Sequence, residues 1–392
     1  MALIVNEQRL DAQQNEFLRR LEQGEFSSQQ VWIRGFPGSG KSVLLAYALK
    51  RIKKIDKNAS VIVVVFTRSM IQMFKEAFRE MQLSANIVTF YEFMKSRDHY
   101  DYILTDEVQD LVPRVLRAMR DRADHIIVAG DENQSIYERD PIFGEATVSP
   151  YEIQQILSST SFSLNIIHRL SSYIISAINR FLPNLNIFSS RRDLTTSTTQ
   201  IRLCEARNTT EEVKYIMQEG VKASNSGQTA AILLPTRNDI IYFANKALRN
   251  EGKPEWQERL DKYGKVDFWA LNSYLSSQGL KLKYVGNGVG EFNASDRKVV
   301  IMTYHSSKGL DFDNVFLPFM NSSLFIVPNE TRSKILFMVA MTRSKNNLYI
   351  TYCGYKHPYI DSFAIECNGI DIHDALASVN TIKTTSNNPF GI

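Results

Sequence analysis

The chain of 392 residues is 44% hydrophobic and has a formal net charge of only +4, which predicts two or three domains and excludes a globally basic surface for nucleic acid. Its three cysteines are widely spaced, which argues against a disulfide framework and against structural zinc. The longest apolar run of note, 61–66, is six residues, and the N-terminus has no leader pattern, so we expect a cytoplasmic protein without membrane contact.

The first half of the chain alternates short apolar strands with helical stretches. This alternation predicts an α/β fold with a parallel sheet, in which ligands bind at the carboxyl ends of the strands. Helices are predicted over 13–23, 69–81 and 111–121, and strands over 31–34, 60–66, 102–105 and 125–129.

A glycine-rich loop with the sequence GFPGSGKS follows the first strand. Glycines let backbone N–H groups turn toward phosphates, while Lys41 places a positive charge on the β and γ oxygens and Ser42 offers a hydroxyl to Mg²⁺. The helix after the loop directs its positive end at the same phosphates. The pattern therefore predicts an ATP-Mg²⁺ site whose loop residues are Gly35, Pro37, Gly38, Ser39, Gly40, Lys41 and Ser42.

Two later strands end in acidic tips, which the parallel sheet brings beside this loop. In the first tip, Asp106 is predicted as a Mg²⁺ ligand and Glu107 as the general base for the attacking water. In the second tip, Gln134 is placed to contact the γ-phosphate and report its loss.

The second half repeats the α/β pattern and predicts another parallel sheet. Strands are predicted over 230–234, 298–303, 314–318 and 348–352, the last closing the sheet, and helices over 238–249 and 331–342. The polar stretch 186–200 is predicted to be a loop.

Eight motifs now stand in the order found in UvrD/Rep-type superfamily 1 helicases, which the chain resembles from residue 10 to about residue 350. Motif V is very close to the family pattern. The resembling stretches are 10–14 (Q motif), 35–42 (I), 65–68 (Ia), 106–110 (II), 130–137 (III), 164–169 (IV), 301–312 (V) and 338–345 (VI).

The resemblance implies further site residues. In the nucleotide site, Gln14 would read adenine, His168 would stand in place of a stacking aromatic residue, and Gly309 and Asp311 would contribute from motif V. Arg169 and Arg343 would be the phosphate-sensing arginines that act when two domains close. Contacts to single-stranded DNA would be made by Phe66, Thr67, Tyr137, Arg139, Thr303 and His305.

The resemblance also implies two RecA-like P-loop domains with parallel sheets and the ATP site in the cleft between them. We predict a first domain over 1–165, a connector with motif IV over 166–200, a second domain over 201–376 and a flexible tail over 377–392. A small insertion is expected near 250–296.

Little room is left for the accessory subdomains that family members usually carry. Two functions therefore remain open. One is a DNA-stimulated ATPase that translocates 3′ to 5′ on single-stranded DNA as a helicase in DNA repair, replication or defence. The other is an ATPase switch or regulatory subunit that acts through a protein partner in a repair or defence complex without autonomous unwinding.

Overall fold

The computed structural model describes residues 5–131, 135–140, 143–185, 191–192, 200–286, 288–291 and 293–378. They fall into two compact α/β units. The first contains residues 5–170 and 191–192, and the second contains residues 171–185 and 200–378. None of the described helices is both long and apolar enough to cross a membrane.

The first unit is built on a six-stranded sheet in which all neighbouring strands are parallel. The strand order β3-β2-β4-β5-β1-β6 makes the carboxyl ends of β4, β5 and β1 neighbours. In chain order the elements are α1 (Ala12–Glu22), β1 (Gln30–Gly35), α2 (Lys41–Ile55), β2 (Val61–Val65), α3 (Arg68–Glu80), β3 (Asn86–Thr89), α4 (Phe90–Lys95), β4 (Tyr100–Thr105), α5 (Pro113–Arg120), β5 (Ala123–Gly130), α6 (Pro150–Leu157) and β6 (Ser159–Leu164).

Strand β2 shows why this sheet is buried on both faces. All five of its residues are buried, and successive side chains point to opposite faces of a strand. Val61, Val63 and Val65 pack into a core with α1, α2 and α3. Ile62 and Val64 pack into a second core with side chains of α4, α5 and α6. A continuous β-branched run is the sequence that such a central strand needs.

The second unit has a seven-stranded parallel sheet with the order β11-β12-β10-β13-β14-β9-β15. A separate parallel pair in the first unit, β7 (Ile166–Ile167) and β8 (Arg191–Arg192), precedes it. The second unit's elements are α7 (Ser172–Phe181), β9 (Ile201–Ala206), α8 (Thr209–Asn225), β10 (Ala230–Leu234), α9 (Arg237–Asn250), α10 (Phe268–Ser277), β11 (Leu282–Tyr284), β12 (Val299–Thr303), β13 (Phe312–Leu317), α11 (Glu330–Met341), β14 (Ser344–Cys353), α12 (Pro358–Asp361) and β15 (Cys367–Asp371).

The predicted fold class, two α/β units with parallel sheets, is confirmed. The expectation that 348–352 closes the second sheet is wrong, because β9 and β15 lie beyond β14. The predicted connector contains a helix, α7, and the predicted insertion contributes β11 to the sheet. The domain limits themselves stay a prediction.

Parts of two other predicted segments lie outside the described residues. These are 186–190 and 193–199 of the predicted loop and 379–392 of the predicted tail. The first two tail residues, 377 and 378, end a helical stretch that begins at residue 372.

Candidate nucleotide site and nucleic-acid interface

The glycine-rich loop joins β1 to α2 with two left-handed residues, Gly38 (φ 78°) and Gly40 (φ 84°). L side chains rarely adopt such angles. Space is also short, because a Cβ at Gly38 would lie 2.9 Å from Cβ of Arg169 and one at Gly40 would overlap the Gln14 amide. Only glycine fits these two positions, so the loop can present its backbone to a ligand.

Lys41 is the first residue of α2, and no side chain caps this helix. Its Nζ donates to the carbonyl oxygens of Gly35 at 2.7 Å and Phe36 at 3.1 Å. The ammonium thus lies over the loop itself, where it is available to phosphate oxygens after a side-chain rotation. Uncapped amides and a lysine at one helix end form a suitable anion site.

Asp106 directly follows β4 and contacts the start of this helix. The Ser42 hydroxyl donates to its Oδ2, and the backbone N–H of Glu107 donates to its Oδ1 at 2.9 Å. Burial, together with the nearby Glu107 carboxylate, raises the pKa of Asp106 to about 6. A hydroxyl and a buried carboxylate in contact are oxygen ligands suited to Mg²⁺, which would relieve the buried charge.

The protein alone offers this ion few ligands. Among the residues that the structure describes, no group of three or more His, Cys, Asp or Glu side chains is arranged to hold a metal. Mg²⁺ commonly binds through one or two protein ligands plus substrate phosphates and water. Ser42 and Asp106 therefore fit an ion that arrives with a nucleotide.

Glu107 adopts a left-handed backbone (φ 55°, ψ 43°) at the tip after β4. Its Oε2 accepts a 2.5 Å hydrogen bond from Nε2 of Gln109. Gln109 is buried, and its Oε1 accepts the backbone N–H of Asp131 at 3.2 Å. We predicted no role for Gln109 from the sequence, although its place two residues after the predicted base was a usable signal.

Gln14 and His168 both contact the glycine-rich loop through its backbone carbonyls. Nε2 of Gln14 donates to the Ser39 carbonyl at 3.1 Å, and the His168 backbone N–H donates to the Gly38 carbonyl at 2.9 Å. Asp11 joins them, because its backbone N–H donates to Gln14 Oε1 and its Oδ2 lies 2.6 Å from His168 Nε2. Both predicted adenine contacts are thus brought beside the loop.

The Asp11 carboxyl was missed by the sequence analysis. Burial would raise its pKa, but hydrogen bonds from His168 and from the Gln14 backbone outweigh that effect and lower it. Asp11 therefore remains a carboxylate that holds both residues. Gln14 is buried with both ends of its amide engaged. Adenine recognition by Gln14 and His168 stays a prediction.

The two predicted arginines have different surroundings. Arg169 packs beside Gly38 of the loop. Arg343 is 3% exposed, and it donates to the carbonyls of Val339 at 2.9 Å and Leu310 at 3.3 Å. Its Nη2 also donates to the adjacent threonine hydroxyl. Because Leu310 lies between Gly309 and Asp311, these contacts place Arg343 beside both residues. The third predicted phosphate contact, Gln134, lies outside the described residues.

A cavity of about 200 Å³ opens at the carboxyl ends of β1, β5 and β6. Its lining includes Arg34, Asp131 and Asn165, together with Gly35 and Phe36, whose carbonyls hold Lys41. The cavity is smaller than the roughly 300 to 1,000 Å³ of typical ligand pockets, so it suits a phosphate-sized group.

Predicted DNA contacts in the first unit meet in an aromatic cluster. The ring of Phe66 lies 4.7 Å from that of Tyr137 and 5.2 Å from that of Phe90, centroid to centroid. Burial first, and then the negative charge of Asp110, raises the pKa of Tyr137, so its hydroxyl stays protonated. Thr67 accepts the Met70 backbone N–H at 3.3 Å and thereby caps α3.

Residues 138–140, which follow Tyr137, pair with residues 145–147. Arg139 and Ala146 form an antiparallel bridge, and the Thr147 backbone N–H donates to the Glu138 carbonyl at 3.1 Å. The Arg139 guanidinium donates to the Gly144 carbonyl at 3.0 Å. Asp140 is buried and accepts the Tyr91 hydroxyl at 2.6 Å and the Phe143 backbone N–H at 2.7 Å. These bonds fix residues 138–140, which directly follow Tyr137.

In the second unit, Thr303 and His305 lie at the end of β12. The Thr303 hydroxyl donates to Ser306 Oγ at 2.9 Å and accepts the Ser306 backbone N–H at 3.1 Å. Burial, and then the positive charges of Arg332 and Lys308, lowers the pKa of His305 to about 4. His305 is therefore neutral near pH 7, and two cationic neighbours that the sequence analysis missed lie close to it.

Two family models match this chain. Residues 280–355 match the UvrD-like helicase C-terminal domain, and residues 19–140 match an AAA domain. The first match contains Thr303, His305 and Arg343, and the second contains the glycine-rich loop and the Asp106–Glu107 tip. Both stretches therefore include residues that the sequence analysis had selected.

Among individual proteins, the chain is similar to the ATP-dependent DNA helicase Rep of Buchnera aphidicola subsp. Schizaphis graminum (strain Sg). Identity is 38% over 71 residues, which cover 16% of this chain but only 10% of that protein. The match thus spans about a tenth of the length of this relative.

Two solved structures are also similar. One is a complex of Arterivirus nonstructural protein 10 (helicase) with DNA, with a TM-score of 0.41, 15% identity, and coverage of 86% of this chain and 62% of that chain. The other is the C-terminal domain of a possible DNA helicase from Lactobacillus plantarum WCFS1, with a TM-score of 0.33, 14% identity, and coverage of 52% and 98%.

Proposed function

Because the chain belongs to the UvrD/Rep-type superfamily 1 helicases, we propose that it is an ATP hydrolase that acts as a helicase or translocase on single-stranded DNA. The resemblance inferred from the order of the motifs is confirmed at the level of the family. We extend the proposal to movement in the 3′ to 5′ direction and to a role in DNA repair, replication or defence, which the resemblance implies.

The observation that supports ATP hydrolysis best is the contact between Ser42 and Asp106, with Glu107 as the next residue. It joins the helix after the glycine-rich loop to the acidic end of β4. A hydroxyl and carboxylate for Mg²⁺ and a carboxylate for a water molecule are then adjacent. Phosphoryl transfer to water needs these groups from the first domain in addition to the phosphate-binding loop and Lys41.

Each residue has a defined task in this proposal. Lys41 leaves the carbonyls of Gly35 and Phe36 and contacts phosphate oxygens, while the amides at the start of α2 bind the same group. Bound Mg²⁺ supplies charge neutralisation on the phosphate oxygens. Glu107 orients the attacking water and accepts its proton. Arg169 and Arg343 remain predicted stabilisers of transition-state charge.

For single-stranded DNA, we propose that bases stack on Phe66 and Tyr137. Stacking on aromatic rings is worth roughly 1–3 kcal/mol per base and tolerates any sequence. Thr67, Thr303 and the neutral imidazole of His305 would bind phosphate or sugar oxygens as uncharged hydrogen-bonding groups. Arg139 is the one cationic side chain in the predicted set.

ATP hydrolysis by the purified chain, with and without a single-stranded oligonucleotide, tests this proposal. We expect DNA to raise the rate at least about tenfold and Glu107→Gln to abolish hydrolysis in both conditions. Glu16→Gln is the matched control, since Glu16 is an exposed residue of α1 paired with Arg19. Its rate should equal that of the native protein.

A second candidate function is a nucleotide-dependent switch that acts on a protein partner. It is favoured by the engagement of predicted DNA contacts within the chain itself, since the hydroxyls of Thr67 and Thr303 close local turns and Arg139 binds Gly144. Hydrolysis that DNA does not change, but that Glu107→Gln removes, would replace the motor proposal with this one.

A further inference from the structure

Gln109 occupies a buried position between the two acidic tips of the first sheet. It lies on the short 3₁₀ turn Val108–Asp110 and is 2% exposed. Its side chain spans the gap from Glu107 to the end of β5, with one amide end bonded to each. The side-chain amide therefore joins the proposed general base to the residue that follows β5.

The orientation of the Gln109 amide is fixed by its partners. The backbone N–H of Asp131 can only donate, so the atom 3.2 Å away must be the oxygen Oε1. The nitrogen Nε2 consequently faces Glu107 and donates to its Oε2 at 2.5 Å. A flipped amide would place donor against donor and acceptor against acceptor. Gln109 therefore presents an N–H donor to the proposed general base.

Resting on the proposed function, we propose that Gln109 is a positioning residue for ATP hydrolysis that sets the place of the Glu107 carboxylate relative to the end of β5. A glutamate at a turn has several rotamers, and only a narrow range places its carboxylate on the attacking water. A hydrogen bond from a buried amide selects one of them. The second bond, from the Asp131 backbone N–H, links the selected Glu107 rotamer to the position of the carboxyl end of β5.

The surroundings of Gln109 support a fixed position. The Asp110 backbone N–H donates to the Glu107 carbonyl at 3.0 Å, which closes the turn that carries Gln109. Ser135 Oγ lies 3.5 Å from the Gln109 carbonyl. On the β5 side, a Cβ on Gly130 would overlap Gln109 Oε1, so the amide fits only against a glycine.

Two substitutions separate the two bonds. Gln109→Met keeps the length of the side chain and removes both hydrogen bonds. Gln109→Glu keeps an oxygen for the Asp131 N–H but turns a second oxygen, instead of a donor, toward Glu107. Gln154→Met is the matched control, since Gln154 is an exposed residue of α6 that donates to Ser161 at 3.2 Å.

Steady-state hydrolysis with DNA is the first measurement. We expect kcat to fall at least about tenfold in both Gln109 variants while KM for ATP and the affinity for a fluorescent ATP analogue stay within about threefold, because positioning acts on the transition state. Gln154→Met should match the native protein. A kcat within twofold of native in both variants, or a fall in ATP affinity as large as the fall in kcat, would overturn the proposal.

Amide hydrogen exchange in the nucleotide-free protein is the second measurement and does not depend on activity. The peptide that contains the Asp131 amide should exchange faster in Gln109→Met and at the native rate in Gln109→Glu, because only the first variant loses the acceptor. Unchanged exchange in Gln109→Met would overturn the link to β5. If the native protein does not hydrolyse ATP under any condition, the proposed function fails, and this arm alone decides whether the link exists.

Discussion

Gly130 lies at the end of β5, where an added methyl group meets the Gln109 amide and lies 2.8 Å from Cγ1 of Val108. We expect Gly130→Ala to lower the free energy of unfolding by about 1–3 kcal/mol, as overpacking does, and to lower kcat by displacing Gln109. Urea denaturation and ATP hydrolysis measure the two effects.

A control and a double variant sharpen this prediction. Gly369→Ala in β15 has open space around its Cβ and should change stability by less than about 0.5 kcal/mol. In a Gln109→Ala background the overlap with the amide is gone and the contact with Val108 remains, so Gly130→Ala should destabilise the protein less than in the native background. Equal effects in both backgrounds would contradict the assigned contact.

His305 makes stability depend on pH. Its pKa is about 4 in the folded chain, because burial and the charges of Arg332 and Lys308 disfavour the imidazolium, and about 6.5 in the unfolded chain. Between these values the unfolded state binds more protons, so stability from the neutral imidazole is complete well above pH 6.5 and falls as pH drops toward 4. The loss should be about 2 kcal/mol at pH 5.

Urea denaturation midpoints of the native protein and of His305→Gln, compared from pH 8 to pH 5, measure this loss of stability. The native protein should lose more stability than the variant over this range, since other titrating groups are common to both. Parallel curves would show that the imidazole titrates normally.

From the sequence alone we predicted the candidate site residues whose side chains have few common uses other than phosphate or metal binding. Lys41, Ser42, Asp106 and Glu107 stand in a spacing that phosphate chemistry requires, and the structure brings all four together. Gln109 escaped because a glutamine has many uses, and its role depends on the distant Asp131 amide. The place of Gln109 two residues after Glu107 was a signal for one of its two bonds, whereas the bond to Asp131 leaves no local trace in the sequence.

At the scale of elements, Asp140 holds the segment made of residues 137–140 and 143–147. We expect Asp140→Ala to destabilise the protein by about 1–3 kcal/mol, because the Tyr91 hydroxyl and the Phe143 backbone N–H lose their acceptor. The segment carries Tyr137, so affinity for single-stranded DNA should also fall several-fold.

Urea denaturation and oligonucleotide binding test this prediction, with Asp98→Ala as an exposed control. Asp98 accepts hydrogen bonds from the nearby Ser96 and Tyr100 hydroxyls. Native stability in Asp140→Ala would show that the segment does not depend on this carboxylate.

Elements with a strong apolar period were predicted to within a few residues, as β2, β10 and α9 show. Two of the missed strands have weak patterns. Strand β6 (STSFSL) is largely polar because it lies at the edge of its sheet, and β15 (CNGID) is an edge strand with a glycine. Neighbouring strands, rather than their own composition, determine these segments.

At the scale of the whole molecule, charge predicts how DNA binding responds to salt. The net charge is only +4, and the proposed contacts are aromatic rings, hydroxyls and a neutral imidazole, with Arg139 the one cation. Each phosphate neutralised adds about 0.7 to the slope of log affinity against log salt for a single strand. We therefore expect a slope of magnitude below about 3.

Fluorescence anisotropy with labelled oligonucleotides over a salt series measures this slope. A slope steeper than about −5 would require several lysines or arginines outside the proposed set. Such a result would place the main DNA contact on a surface that the motifs do not mark.

At position 107 the left-handed backbone favours Gly or Asn, whereas the proposed reaction requires the carboxylate of Glu. A non-glycine residue in this region carries a strain on the order of 1 kcal/mol, which Gly or Asn would relieve. A library selected only for folding should therefore enrich Gly and Asn at position 107, whereas a library selected for hydrolysis should retain Glu. Such a disagreement between the two selections would reveal the proposed catalytic role of position 107 from mutational frequencies alone, without any structure.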